Sequence, residues 1–197
     1  ARLSAGSLRI PATSGGFPVI EIVPEQIVTR KRMMKPAVRD GAFVSDAARD
    51  ILKLVVVERH KATGNTGRGF VTGFGLKRGA LASTIGHDSH NVICVGATDD
   101  DMIGAMEALQ ANQGGLVVFA DGELKAALPL PIGGLLSPAP LTEVIRAQTR
   151  VEDAARQLGV TLRSPFSVLS FLALPVIPEL RVTDLGVVDV NEFRIVA

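Results

Sequence analysis

Six consecutive residues, Gly86-His87-Asp88-Ser89-His90-Asn91, gather more hydrogen-bonding and proton-transfer chemistry than any other stretch and hold two of the chain's three histidines. Imidazole donates, accepts or binds a metal near neutral pH, and Asp, Ser and Asn add further donors and acceptors. Three readings are open. The side chains can satisfy the backbone of their own turn, as Asp, Ser and Asn routinely do. His87 and His90 can ligate a metal, with Asp88 or a distant carboxylate as third ligand, although His-x-x-His alone falls well short of His-Glu-x-x-His or a four-ligand set. The loop can also offer donors and acceptors to a polar ligand.

Just upstream, Gly73-Phe74-Gly75-Leu76-Lys77-Arg78-Gly79 could bring backbone N–H groups and two cations to an anion. It lacks the Gly-x-x-x-x-Gly-Lys-Ser/Thr pattern and the strand-loop-helix Gly-x-Gly-x-x-Gly unit, so a nucleotide phosphate is a minor reading. No Gly-x-Ser-x-Gly elbow occurs, and Cys94, the single cysteine, lies in an apolar run where a buried, inert thiol is expected. Glu58 and His60 would share one face of a strand with Arg59 on the other, which reads as a surface salt-bridge set.

The elements that must position these residues follow from periodicity. Val19 to Val23 and Ile27-Val28-Thr29 read as strands, with Arg30, Lys31 and Arg32 at a solvated strand end. Asp40-Gly41 marks a turn, Ser45 or Asp46 can cap a short helix through Leu52, and Leu54 to Val57 is a buried strand. Lys61 to Gly79 reads as a glycine-dense loop. Ala80 to Ile85 and Asn91 to Val95 are strand candidates on either side of the polar loop. Thr98 or Asp99 caps a helix with Met102, Ile103, Met106 and Leu109 on one face, stopped by Gly114. Asp121-Gly122 between two apolar runs is a hairpin signal. A second helix is expected over Leu141 to Leu158, with Val144, Ile145, Gln148, Val151, Ala155 and Leu158 on one face. Ser164-Pro165 opens a third, buried helix through Leu174, and short strands around Val182, Val187-Val188 and Phe193 to Val196 close the chain. Interleaved helices and strands with at least one hairpin predict an α/β fold, with α+β as the alternative: a mixed sheet covered by about three helices.

The chain has 197 residues, 47% hydrophobic and 21% charged, with a formal net charge of +1. That composition is globular, and near-neutral charge gives no global pull on nucleic acid or an anionic membrane. All eight aromatic residues are Phe, which removes the Tyr and Trp that stack on bases. One cysteine excludes an intrachain disulfide and suits a reducing compartment. No apolar run reaches the roughly 18 residues that span a bilayer, and no signal peptide is evident, so a cytoplasmic location is expected. The chain opens on Ala1 rather than Met, as expected of a piece of something longer. Residues 1–16 read as a linker into a domain over 17–197.

Longer motifs carry a resemblance. Gly69-Phe70-Val71-x-Gly73-Phe74-Gly75-Leu76-Lys77-Arg78-Gly79-Ala80-Leu81-Ala82-Ser83, His87-Asp88-Ser89-His90-Asn91, Leu128-Pro129-Leu130-Pro131-Ile132-x-Gly134-Leu135 and Pro165-Phe166-x-x-Leu169-Ser170-Phe171-Leu172-Ala173-Leu174-Pro175-Val176-Ile177-Pro178-Glu179-Leu180 resemble the C-terminal domain of bacterial and archaeal adenine deaminases, in the amidohydrolase superfamily. The similarity runs from about Val19 to the end.

The resemblance implies a whole enzyme that hydrolyses adenine to hypoxanthine and ammonia at a manganese or iron centre in a preceding (β/α)8 barrel. It assigns no metal ligand to this chain, which alone is expected to be inactive and to bind no cofactor. It implies the barrel as partner, adenine as substrate and a homo-oligomer, with no nucleic acid and no membrane. His87, Asp88, Ser89, His90 and Asn91 are the expected substrate-proximal residues, supported by Gly73, Gly75, Lys77 and Arg78. Two alternatives stand beside this: a purely structural or oligomerisation domain with the loop as a folding staple, and a self-sufficient His-x-x-His metalloenzyme.

Overall fold

An eight-stranded sheet with the order β11-β10-β8-β9-β6-β7-β2-β3 forms the centre of the computed structural model, which describes residues 4–197. Its strands are β2 (Phe17–Ile22), β3 (Thr29–Met34), β6 (Leu52–Val57), β7 (Thr66–Thr72), β8 (Ala80–Ser83), β9 (Val92–Gly96), β10 (Gly115–Ala120) and β11 (Glu123–Pro129). Every neighbouring pair is antiparallel except β2 with β7, so the sheet is mixed, as the interleaved pattern predicts. Both faces are covered, which is why β6 reads as a nearly continuous apolar run, interrupted only by Lys53, rather than an alternating one. Val55, Ala82, Cys94 and Val117 meet Met102, Ala105, Met106 and Leu109 of α1 (Asp99–Ala111) on one face. Leu54, Val56, Leu81, Ile93 and Val118 share the opposite core with α2 (Leu141–Gln157), α3 (Pro165–Phe171), β12 (Leu180–Thr183) and β13 (Gly186–Asp189).

Local chemistry sets the expected helices and the hairpin. The Thr98 hydroxyl accepts from Asp101 N–H at 3.2 Å and caps α1, whose first turn carries three aspartates where the dipole favours them. Asp121 and Gly122 both take positive φ, as a two-residue hairpin turn requires, and join β10 to β11. On α2, Ala147, Val151 and Ala155 are buried while Ile145, expected on the inner face, is exposed.

Four local expectations are corrected. Residues 45–52 form no helix: Asp46 and Ile51 exchange backbone hydrogen bonds across a tight turn, and Leu52 already belongs to β6. Ile27 and Val28 are exposed and outside any strand, because the Ile27 carbonyl accepts from the buried Arg181 guanidinium instead of a ladder partner. Ladder pairing starts at Thr29, so Arg30, Lys31 and Arg32 lie within β3 rather than at a strand end. The glycine-dense 61–79 stretch contains β7, in which Gly67 and Gly69 permit close approach to β12 and β13.

Within the expected 1–16 linker, residues 1–3 lie outside the described residues. Leu8 and Ile10 are buried, and β1 (Ile10–Pro11) pairs with β5 (Ala42–Val44), which also pairs with β4 (Ala37–Arg39). A short Ser- and Gly-rich segment can thus carry two anchoring apolar side chains onto the domain. A third small sheet joins β12, β13 and β14 (Arg194–Ile195).

Candidate functional site

The antiparallel register of β8 and β9 makes residues 84–91 the loop of a hairpin at one end of the sheet. That end also receives the C-terminal end of β6, the start of β10 and the β12–β13 turn, because Val57 pairs with both Val92 and Thr66, and Leu116 with Ser83. Glu58, Arg59, His60, Asn65, Gly114 and Asp184 are thereby gathered around His87, Asp88, Ser89, His90 and Asn91.

The loop's backbone is tightly bound. Ser89 N–H donates to the His87 carbonyl and His90 N–H to the Gly86 carbonyl, each at 2.9 Å. Asp88 and His90 take positive φ, an uncommon conformation outside glycine. Outside contacts then hold the turn. Arg59 Nε donates to the His90 carbonyl at 2.5 Å and Arg59 Nη2 to the Gly133 carbonyl at 2.8 Å, so this guanidinium ties two loops and pairs with no carboxylate among the described residues. Partial burial lowers its proton affinity from the usual arginine value. His60 Nε2 donates to the Ser89 carbonyl at 2.8 Å. Thr84 Oγ1 donates to the Gly134 carbonyl at 2.6 Å and accepts from Gly115 N–H at 2.8 Å, fixing the loop's root.

The five side chains differ in what they have left to offer. His87 Nδ1 lies 2.6 Å from Ser170 Oγ, and its ring stacks on Phe171 with centroids 4.0 Å apart. Asp88 is exposed, and the Ser89 hydroxyl accepts only a long 3.4 Å contact from Asn91 N–H. Asn91 is 6% exposed; its Nδ2 donates to Asp184 Oδ1 at 3.4 Å, while Asn65 Nδ2 donates to the other oxygen of Asp184 at 3.1 Å. Among the described residues, His90 Nδ1 and Asn91 Oδ1 are buried with no hydrogen-bond partner. Such orphans are rare in folded proteins, since each costs roughly 1–3 kcal/mol. A cleft of about 420 Å³ lined by Glu58, Arg59, Thr84 and Gly114 opens beside the loop.

The structure does not bring the four expected supporting residues here. Gly73, Gly75, Lys77 and Arg78 lie before β8, at the opposite end of that strand from the loop. Gly73 and Gly75 do present backbone N–H groups to an anion, but the anion is the Asp50 carboxylate, at 2.7 and 2.9 Å. Arg78 pairs with Asp121, Lys77 N–H donates to the Leu158 carbonyl at 2.9 Å, and the Lys77 side chain is exposed. The segment's glycines serve that Asp50 cradle and close packing against Ile22 and Phe119.

The 58–60 salt-bridge set is also replaced. Glu58 accepts from the backbone N–H groups of His60, Lys61 and Thr63, which drives its carboxyl down to about 2. Ser170, Asp184, Asn65 and Arg59 hold the loop, and spacing gave no sign of it because they come from the β6–β7 connection, α3 and the β12–β13 turn, all separate from it in sequence. For Ser170, a polar residue in an apolar helix was the available signal.

Comparison with known proteins fixes the relationship. The family described as "Adenine deaminase C-terminal domain" matches residues 26–194. The chain belongs to that family. It is 50% identical over 189 residues to an adenine deaminase of Dehalococcoides mccartyi, covering 96% of this chain and 33% of that protein. It is 53% identical over 187 residues to that of Methanothrix thermoacetophila, covering 95% and 33%. The adenine deaminase of Oleidesulfovibrio alaskensis matches at 50% over 196 residues, 100% of this chain and 34% of the relative. The chain thus spans about a third of the length of these relatives. No helix among the described residues is long and apolar enough to cross a membrane.

Proposed function

We propose that this domain is the C-terminal lobe of an adenine deaminase that converts adenine and water to hypoxanthine and ammonia, and that the 87–91 loop lies beside the purine pocket. The reading that the chemistry is adenine hydrolysis rests on the three adenine deaminase relatives. The placement of the loop rests on one observation: His90 Nδ1 and Asn91 Oδ1, in adjacent residues, are buried and unmatched among the described residues. Buried polar atoms without partners are explained if the partner comes from outside. The protein is proposed to act in the cytoplasm, as a homo-oligomer, with the catalytic barrel as its covalent partner.

A manganese or iron ion, when bound by the whole enzyme, would supply a hydroxide nucleophile at neutral pH. The residues here do not fit such an ion. His87 Nδ1 is engaged by Ser170, His60 Nε2 by a carbonyl, His90 Nδ1 is buried, and no group of three His, Cys, Asp or Glu converges among the described residues. The metal is therefore proposed to sit in the barrel, and this lobe to contribute hydrogen bonds that orient the base.

The internal bonds of the loop favour a second reading, a structural cap or oligomerisation domain in which residues 87–91 staple Arg59, Asp184 and Ser170 together. His90→Ala in the full-length enzyme separates the two. Because Nδ1 has no partner to lose, the first reading expects kcat/KM to fall about tenfold or more, with Tm within roughly 3 °C of wild type. A Tm loss well beyond that with unchanged kcat/KM establishes the cap reading instead.

A further inference from the structure

Among the described residues, His87 is the only histidine of the loop whose ring is held by a side chain. Ser170 is 2% exposed, and among the described residues its hydroxyl has one partner, His87 Nδ1 at 2.6 Å. That distance admits two arrangements. If Nδ1–H donated to Oγ, the hydroxyl proton would be buried with nothing to accept it. If the hydroxyl donates to Nδ1, both groups are satisfied, and in the neutral ring the proton must then reside on Nε2. The orientation is fixed twice more: the imidazole stacks on Phe171 at an interplanar angle of 29°, and His87 N–H donates to the Ser170 carbonyl at 3.3 Å. Nε2 makes no hydrogen bond among the described residues.

We propose that Ser170 is a positioning residue that locks neutral His87 as the Nε2–H tautomer, so that the loop presents a fixed hydrogen-bond donor to a lone-pair acceptor. On the reading of the loop as purine-proximal, that acceptor is a ring nitrogen of the base rather than its exocyclic amine. The tautomer itself does not depend on that reading.

Selective ring ¹⁵N labelling tests the two parts separately. The chain has three histidines, so three ring systems result, and His87→Gln identifies one by its loss. In the neutral ring, Nδ1 of His87 is expected to be pyridine-like and Nε2 pyrrole-like, while Ser170→Ala collapses the pair towards tautomer averaging. A pyrrole-like Nδ1 in the wild-type spectrum overturns the assignment whatever the kinetics show, and it needs no variant to fold. In the full-length enzyme Ser170→Ala is expected to lower kcat/KM about fivefold or more, with Ser170→Thr restoring most of it. If Ser170→Ala averages the tautomer and leaves kcat/KM unchanged, the positioning role falls. Failure of the purine-proximal reading itself is recognised separately, by a kinetically silent His90→Ala.

Discussion

Glu58 shows how one carboxylate organises the approach to the loop. It follows the last residue of β6, and its oxygens collect N–H groups from His60, Lys61 and Thr63 together with the Thr63 hydroxyl at 3.2 Å. Those bonds exist only in the folded chain and favour the ionised form, so the folded carboxyl titrates near 2 against an ordinary value of 4.5. A depressed acid contributes stability above the unfolded value and loses it as pH falls towards the folded one. Wild type is therefore expected to exceed Glu58→Gln in Tm by a constant margin above about pH 5.5, with the margin shrinking between about 4.5 and 2. A margin independent of pH down to 2 would show that the charge is not what holds the turn. The sequence displays Glu58, Arg59 and His60 as an ion-pair set because strand periodicity, carried through His60, runs three residues past the end of β6. β6 ends at Val57, after which side chains answer to local N–H groups and not to a pleat. The 87–91 loop was legible as a polar cluster because its residues are contiguous. Its anchors at 59, 65, 170 and 184 became visible only once the fold brought three other chain segments to its end of the sheet.

At the scale of elements, glycine carried two meanings that composition cannot separate. Gly67 sits in β7 where an added Cβ would lie 1.7 Å from the Thr183 carbonyl oxygen, so β12 can cover the sheet only while that position stays bare. Gly67→Ala is expected to destabilise the chain by about 3 kcal/mol, at the upper end of overpacking costs, because the obstacle is backbone and cannot swing away. Gly15→Ala, with nothing within 4 Å of the added Cβ, is expected to stay within roughly 0.5 kcal/mol. Denaturant titration of both variants checks the contrast, and comparable losses would contradict the packing account. A second element-level contact ties α1 to β6. Lys53 is 1% exposed, and both oxygens of Asp99, at 2.6 and 2.8 Å, accept from its ammonium. Asp99→Asn leaves a buried cation with a neutral partner and is expected to cost about 2 kcal/mol, less than the 3–5 typical of fully buried pairs because the Asp99 side chain is 29% exposed. Lys53→Met, which removes the charge and keeps the volume, is expected to cost less than Asp99→Asn. The reverse order in urea midpoints would show that the lysine, not its neutralisation, matters. Sequence periodicity located α1, α2 and the β10–β11 hairpin because each has a cap or turn residue of its own. It misread 45–52, where the Asp50 carboxylate reaches Gly73 and Gly75 and left-handed backbone at Asp50 replaces the helix.

For the whole molecule, the decisive question is whether the domain can generate a nucleophile. Replacing the amine of adenine requires hydroxide at C6, and at neutral pH that is supplied by a metal ion lowering the pKa of bound water to about 7. Such an ion wants several imidazole or carboxylate donors converging on one point. Here one ring nitrogen of each histidine is closed to such an ion, one facing Ser170, one donating to the Ser89 carbonyl and His90 Nδ1 being enclosed, and no three His, Cys, Asp or Glu side chains converge among the described residues. What the domain can offer is oriented hydrogen bonding, which accelerates a reaction only when another part of the protein supplies the attacking group. The purified 197-residue chain, incubated with adenine and added manganese or iron, is therefore expected to release no ammonia above the protein-free blank, and metal analysis after dialysis is expected to find well under one ion per chain. Stoichiometric metal together with turnover would move the chemistry into this domain and make the His87–His90 pair a ligand set. Stoichiometric metal held through His87 Nε2 without turnover would still overturn the tautomer assigned to His87, because that nitrogen ligates a metal only without its proton. Ammonia release without metal would require a different nucleophile at the sheet's end and would end the proposal of a barrel-borne reaction.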